Sequence, residues 1–232
     1  MTTRKKRRRQ ERQGISTKYI LIIVAVAVLV VVLLVVLNGN RSPSATVRAL
    51  PYPTGITPAG EPYKGSPDAP LQLVEYSDFL CTHCGNFANT LDKIGPDYIE
   101  TGKVQVVFRN YAFLTPESNQ AAQAAECALD QGADKFWQYH DLLFGNQGTG
   151  LAAYSSSRLE TYARQVDLNV SAFNSCLQSG AKADRVNADL EAGTNQGVTG
   201  TPTWFLNGQM VAGELSEADL RQFLDSKLST GS

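Results

Sequence analysis

The chain has 232 residues, 43% of them hydrophobic and 19% charged, with a formal net charge of −1. That length suits one medium domain with appendages, and the near-zero balance gives no overall basic surplus of the kind nucleic-acid binding needs. The charge is unevenly placed. Ahead of Tyr19 stand eight basic residues (Arg4, Lys5, Lys6, Arg7, Arg8, Arg9, Arg12 and Lys18) and one acid, Glu11. By subtraction, the remainder carries about −8.

Residues 1–18 read as a basic tail that stays cytoplasmic. Tyr19 to Leu37 follows as an unbroken apolar run, about 19 residues and long enough to cross a bilayer as a helix. A basic cluster can also bind nucleic acid, but abutting a membrane span it is more simply a topology signal, with the C-terminal part outside the cytoplasm. A cleaved signal peptide is the alternative. Its apolar core would be about 7–15 residues long with a small-x-small site after it. The flank Asn38-Gly39-Asn40-Arg41 lacks such a site, and Pro43 spoils Ser42-Pro43-Ser44-Ala45. An uncleaved anchor over 19–37 is the favoured reading. Residues 38–62, rich in Pro, Gly, Ser and Thr, read as a flexible linker. Such a tether would average about 25–30 Å end to end.

The folded domain is expected over 63–232. After a turn-rich stretch from Tyr63 to Pro70, Leu71-Gln72-Leu73-Val74-Glu75-Tyr76 reads as a central strand. Glu75 sits among apolar residues, where a carboxylate is costly without a partner or a task. It is either an exposed strand residue or a semi-buried carboxylate that handles protons for Cys84. The strand runs into Ser77-Asp78-Phe79-Leu80-Cys81-Thr82-His83-Cys84. A Cys-x-x-Cys at a strand-to-helix junction is a redox motif in an α/β context. A thiolate there faces unpaired backbone N–H groups and the positive end of the helix dipole, which lowers its pKa. Half of a zinc site is the bland alternative, but zinc needs four ligands. Cys127 and Cys176 stand alone, and the remaining histidine is His140. No metal site is expected.

A helix should leave the motif over Asn86–Ile94 and be kinked or interrupted at Gly95-Pro96. Val104 to Arg109 is a second strand. From Glu117 to about Asn195 the chain reads as a helical subdomain, with apolar stripes such as Leu159, Tyr162, Ala163 and Val166. Of the three ways to pair four cysteines, the spacing favours Cys81–Cys84 with a structural Cys127–Cys176 disulfide, which suits an exported domain. Thr203–Leu206 and Gln209–Val211 form a hairpin around Asn207-Gly208. Ser216 caps a final helix carrying Leu220, Phe223, Leu224 and Leu228.

The order strand, Cys-x-x-Cys helix, strand, helical block, hairpin and helix, with Val198-Thr199-Gly200-Thr201-Pro202-Thr203 ahead of the hairpin, resembles the DsbA-like family. These are exported thiol–disulfide oxidoreductases with a thioredoxin fold and an inserted helical subdomain, here at about 117–195. The resemblance covers roughly Tyr63 to Leu228. It implies an exposed nucleophile at Cys81, a buried resolving sulfur at Cys84, a carboxylate beneath the pair at Glu75, and a cis proline at Pro202 facing them. Thr201 and Pro202 would then meet the substrate. His83 stands where it can favour the Cys81 thiolate or be a solvent-exposed bystander. The best-known members carry Pro-His between the cysteines where this chain has Thr82-His83, which bears on the redox potential and not on the chemistry.

The expected function is therefore a membrane-anchored, extracytoplasmic, monomeric thiol oxidase. It would form disulfides in reduced exported proteins. The cysteine pair is its own cofactor, and the resemblance implies reoxidation by a membrane quinone-linked partner of the DsbB or vitamin-K-epoxide-reductase type. The alternatives are a reductase or isomerase of the same fold, and a non-catalytic tethered binding module.

Overall fold

The computed structural model describes residues 21–23, 26–30 and 50–230. The basic tail, most of the 19–37 anchor and the start of the linker lie outside the described residues. Residues 21–23 and 26–30 are helical, with exposed apolar side chains such as Leu21, Ile23 and Leu29. Among the described residues no helix is long and apolar enough to cross a membrane.

Residues 50–230 build a six-stranded sheet flanked by helices. The strands are β1 (Thr54–Ile56), β2 (Pro62–Lys64), β3 (Leu71–Ser77), β4 (Val104–Asn110), β5 (Thr203–Leu206) and β6 (Gln209–Ala212). Their order is β1-β2-β4-β3-β5-β6. The helices are α1 (Thr82–Tyr98), α2 (Pro116–Leu129), α3 (Ala133–Gly145), α4 (Ser156–Gln165), α5 (Val170–Ser179), α6 (Ala183–Asn195) and α7 (Glu217–Thr230). Two short 3-10 turns, Gln147–Thr149 and Leu151–Tyr154, join α3 to α4.

β3 lies at the centre because both its faces are apolar. It pairs in parallel with β4 and antiparallel with β5. A parallel neighbour needs a crossover, and α1 supplies it. On one face Leu71 and Leu73 share a core with Phe87, Leu91 and Ile94 of α1. On the other, Tyr76, Tyr111 and Val198 form a smaller core. Gly193 of α6 lies against it so closely that a Cβ there would meet the Tyr111 and Tyr76 rings at 2.8–2.9 Å. The hairpin turns at Asn207-Gly208, both with positive φ, as the type I′ geometry requires.

Two expectations are corrected. The linker does not extend to Pro62, because Thr54–Ile56 pairs with Pro62–Lys64, and β2 continues onto β4. Three-residue strands show no readable alternation, and a proline is tolerated at the start of such a strand. The helix that leaves the cysteines is also not interrupted at Gly95-Pro96. It starts at Thr82 and runs through Pro96. Pro96 gives up one i→i−4 hydrogen bond, but it lies in the last turn, so little helix after it has to be re-formed. Ile99 N and Glu100 N both donate to Gly95 O, at 2.9 and 3.0 Å. Burial of Ile94, Tyr98 and Ile99 holds that turn in place.

Helices α2 to α6 form the insert between β4 and β5. Cys127 of α2 and Cys176 of α5 are bonded, with their Cα atoms 5.9 Å apart and a separation of 49 in sequence. Closing a loop of that length is worth about 4 kcal/mol in the chain-entropy model. A Cys127→Ala/Cys176→Ala double variant is therefore expected to melt about 10 °C lower, read by thermal unfolding with the Cys81–Cys84 pair held in one redox state. An unchanged melting temperature would remove the clamp from the account.

The seam between insert and sheet is aromatic. Phe79, just ahead of the cysteines, stacks on Phe108 of β4 at 5.2 Å and meets Phe144 of α3 at 4.9 Å. The redox turn is thus anchored in the seam by its own side chain.

Candidate active site

Cys81 is the N-cap of α1. Its carbonyl accepts from Cys84 N at 3.0 Å and Gly85 N at 3.2 Å. Its sulfur is partly exposed, whereas Cys84 is fully buried, and both are free thiols. The two sulfurs are strongly inequivalent. Cys81 is pulled down to about 5, first by the hydrogen bond from the Cys84 thiol, then by Thr201 and the backbone N–H groups of Cys84 and His83, against the effect of burial. Cys84 is pushed well up, first by burial, then by its bond to Cys81 and by the charge of Glu75.

Glu75 lies on β3 opposite Trp204 of β5 and Phe108 of β4 and is 1% exposed. Its Oε1 has no hydrogen-bond partner. Burial raises its pKa to about 7, with the Ser77 hydroxyl and the Lys64 ammonium acting the other way. Lys64 is itself buried, paired with Asp92 Oδ1 at 3.3 Å and lying over the Trp137 ring at 4.7 Å. The Thr201–Pro202 bond is cis. Cys81 Sγ lies 3.3 Å from Thr201 O, which puts the proline loop directly against the nucleophile.

His83 is turned elsewhere. Its ring is 70% exposed, and Nδ1 lies 3.0 Å from Glu214 Oε1. That bond and the Glu214 charge raise its pKa. Its backbone N–H supports the Cys81 thiolate, and the charge of Cys81 adds a smaller upward push on the ring's pKa. Glu214 also accepts from Asn86 Nδ2 at 3.4 Å, so it ties the first turns of α1 to the link between β6 and α7.

Cys81, Cys84, Glu75, Thr201 and Pro202 are brought to one place, as the spacing and the resemblance lead one to expect. Cys127 and Cys176 lie apart from them, in the insert. Sequence reading missed Asp78. Its Oδ1 accepts from Leu80 N at 2.9 Å, and its Oδ2 accepts from Phe113 N and Leu114 N at 3.1 and 3.2 Å. An aspartate just past a strand is a recognised turn-former, so a signal existed. Lys64, Gln147, Tyr154 and Glu214 carried none, since each reaches the site from a distant part of the chain. Among the described residues no group of three or more His, Cys, Asp or Glu is placed to hold a metal ion. A concavity of about 420 Å³ near the other end of α1, lined by Tyr52, Leu91, Ile99 and Leu142, contains neither sulfur.

A Cys-x-x-Cys at the start of α1, a buried acid under it and a cis proline against it define a thioredoxin-type redox site. Comparisons agree. The family model described as thioredoxin matches residues 57–226. The probable disulfide bond formation protein D of Bacillus cereus is 30% identical over 150 residues, 63% of this chain and 69% of that protein. The crystal structure of oxidised BdbD from Bacillus subtilis superposes with a TM-score of 0.69 at 25% identity, covering 77% of this chain and 98% of that one. Wolbachia pipientis alpha-DsbA1, at 22% identity and a TM-score of 0.67, covers 75% of this chain and 94% of its own, and shows the fold alone. The chain belongs to the thioredoxin family. It also matches the Na(+)/H(+) antiporter NhaA 3 of Salinispora tropica, at 33% identity over 180 residues, where it spans 75% of this chain but only 26% of that protein.

Proposed function

We propose that the protein is a membrane-anchored, extracytoplasmic oxidase that donates the Cys81–Cys84 disulfide to reduced exported proteins. The observation that carries the reading is the inequality of the two sulfurs. Cys81 is accessible and held as a thiolate, whereas Cys84 is buried and held as a thiol. A low-pKa thiolate is a good leaving group, and a dithiol stabilised in this way makes a transferable disulfide.

A substrate thiolate attacks Cys81 Sγ of the disulfide. The substrate–Cys81 bond forms, the Cys81–Cys84 bond breaks, and the electron pair goes to Cys84. Cys84 is a poor leaving group as an anion, so it needs a proton as it departs. Glu75, with a pKa of about 7, can hold and give one at neutral pH. A second substrate thiolate then attacks the substrate sulfur, the substrate disulfide forms, and Cys81 leaves as a thiolate. The substrate loses two electrons and the enzyme gains them. Backbone groups at Thr201, beside the cis proline, are suited to pair with an extended substrate chain.

The basic tail and apolar run support an anchor with the catalytic domain outside the cytoplasm. An exported oxidase of this kind needs reoxidation, for which a membrane quinone-linked thiol oxidase is the fitting partner. A monomer needing no further cofactor completes the reading. The test is to mix the oxidised protein with one equivalent of a reduced two-cysteine peptide near pH 7. The expected result is nearly complete transfer of the disulfide to the peptide. Transfer that stalls with the enzyme still oxidised would favour a reductase or isomerase.

A further inference from the structure

Two side chains of the helical insert reach the redox turn. Tyr154 OH donates to Phe79 O at 2.8 Å and lies 3.2 Å from Leu143 O. Gln147, in the first 3-10 turn after α3, donates from Nε2 to Phe79 O at 2.8 Å and to Cys81 O at 2.9 Å. A carboxamide carries two N–H donors, one for each carbonyl. Of the two side chains, Gln147 alone touches the backbone of Cys81. Its placement depends on a glycine, for a Cβ at Gly85 would stand 2.2 Å from Gln147 Oε1.

We propose that Gln147 is a positioning residue of the redox site, tying the helical insert to the carbonyl of the nucleophilic cysteine. The inference rests on the redox role proposed for Cys81. The Cys81 carbonyl that Gln147 holds is the one that starts α1, and the N–H groups of that first turn are the ones that face the Cys81 sulfur. Fixing the carbonyl fixes the angle of those donors. Without the tie, Tyr154 still holds Phe79 O, but no side-chain hydrogen bond from the insert holds the Cys81 backbone. The thiolate then loses alignment with its donors.

The experiment compares Gln147→Ala, Gly85→Ala and the double variant with the wild type. It follows the Cys81 thiolate by its ultraviolet absorbance against pH, the equilibrium with glutathione, and thermal unfolding of the oxidised forms. Gln147→Ala is expected to move the thiolate titration upward and shift the glutathione equilibrium towards the disulfide by about fivefold, the scale of one hydrogen bond. Gly85→Ala keeps the glutamine but displaces its amide, so it is expected to give the same shift. The double variant should add little, because both changes remove one interaction. A thiolate titration unmoved in both single variants would overturn the proposal. So would fully additive shifts, or loss of thermal stability with no change in titration. Failure of the oxidase reading would show separately, in the wild-type peptide reaction.

Discussion

Replacing Cys84 by alanine is expected to turn the enzyme into a covalent trap. Cys81 is accessible and ionised, so it still attacks a substrate disulfide and expels one of its sulfurs. No second sulfur then stands behind it to resolve the mixed disulfide. Turnover should fall by roughly 10³-fold or more, as for loss of a group that forms and breaks bonds. Disulfide-linked adducts should accumulate and be visible by mass spectrometry without reductant. Cys81→Ala should lose turnover equally but form no adducts, because Cys84 is buried and held as a thiol. Adducts on the Cys81→Ala variant, or turnover by the Cys84→Ala variant, would reverse the assignment of the two sulfurs. The adducts also identify the substrates.

Glu75→Gln should have the opposite effects on stability and activity. In the folded protein burial raises the Glu75 carboxyl from 4.5 to about 7. The folded state therefore binds the proton more tightly than the unfolded chain. Below pH 4.5 both states are protonated and the residue is neutral in the balance. Between 4.5 and 7 stability falls as pH rises, and above 7 the penalty is complete, at about 3 kcal/mol. Glutamine keeps the shape and removes the charge. The variant should gain stability relative to wild type at pH 8, and the gain should vanish by pH 4. Glu126, also raised to about 7 by burial, titrates in both proteins and cancels in the difference. Disulfide transfer should slow by about 10²-fold near neutral pH, the contribution of a positioned proton carrier. The measurements are denaturant unfolding and peptide oxidation across pH. A variant that is no more stable at pH 8 would show that Glu75 is already paired.

Local patterns carried the centre of the molecule. The strand over Leu71–Tyr76, the Cys-x-x-Cys and the Asn207-Gly208 hairpin each show in a short window, because strand alternation, turn chemistry and close cysteine spacing are short-range; the Cys127–Cys176 pair, 49 apart in sequence, was legible only as the pairing left once Cys81 and Cys84 are taken together. The resemblance added the proline loop. The edge of the sheet was hidden, since Thr54–Ile56 is a strand only by virtue of its neighbour β2. The supports of the site were hidden for a related reason. Glu214 meets His83 across 131 residues, and Gln147 meets Cys81 across 66. His83 itself was legible as a residue of the motif, but its direction was not. Without knowledge of Glu214, a histidine two residues from a thiolate is naturally aimed at it.

The central claim is that the dithiol is the stabler form, so that the disulfide is given away. The Cys81–Cys84 bond closes a loop of only four residues, so its restraint on the unfolded chain is worth about 2 kcal/mol. Against it stands the thiolate. The folded protein holds Cys81 near 5, far below its ordinary value of 9. The stabilisation is absent below pH 5, grows as pH rises, and is complete only above 9. Ionised Glu75 works against it above pH 7 but lies on the Cys84 side, whereas the α1 N–H groups face the Cys81 sulfur. The decisive measurement is thermal unfolding of the oxidised and reduced domain from pH 4 to pH 8, with Cys127–Cys176 left intact. The reduced form should melt higher at pH 7–8, with the gap closing towards pH 4. An oxidised form that melts clearly higher at pH 7–8 would contradict the account and make the protein a reductase.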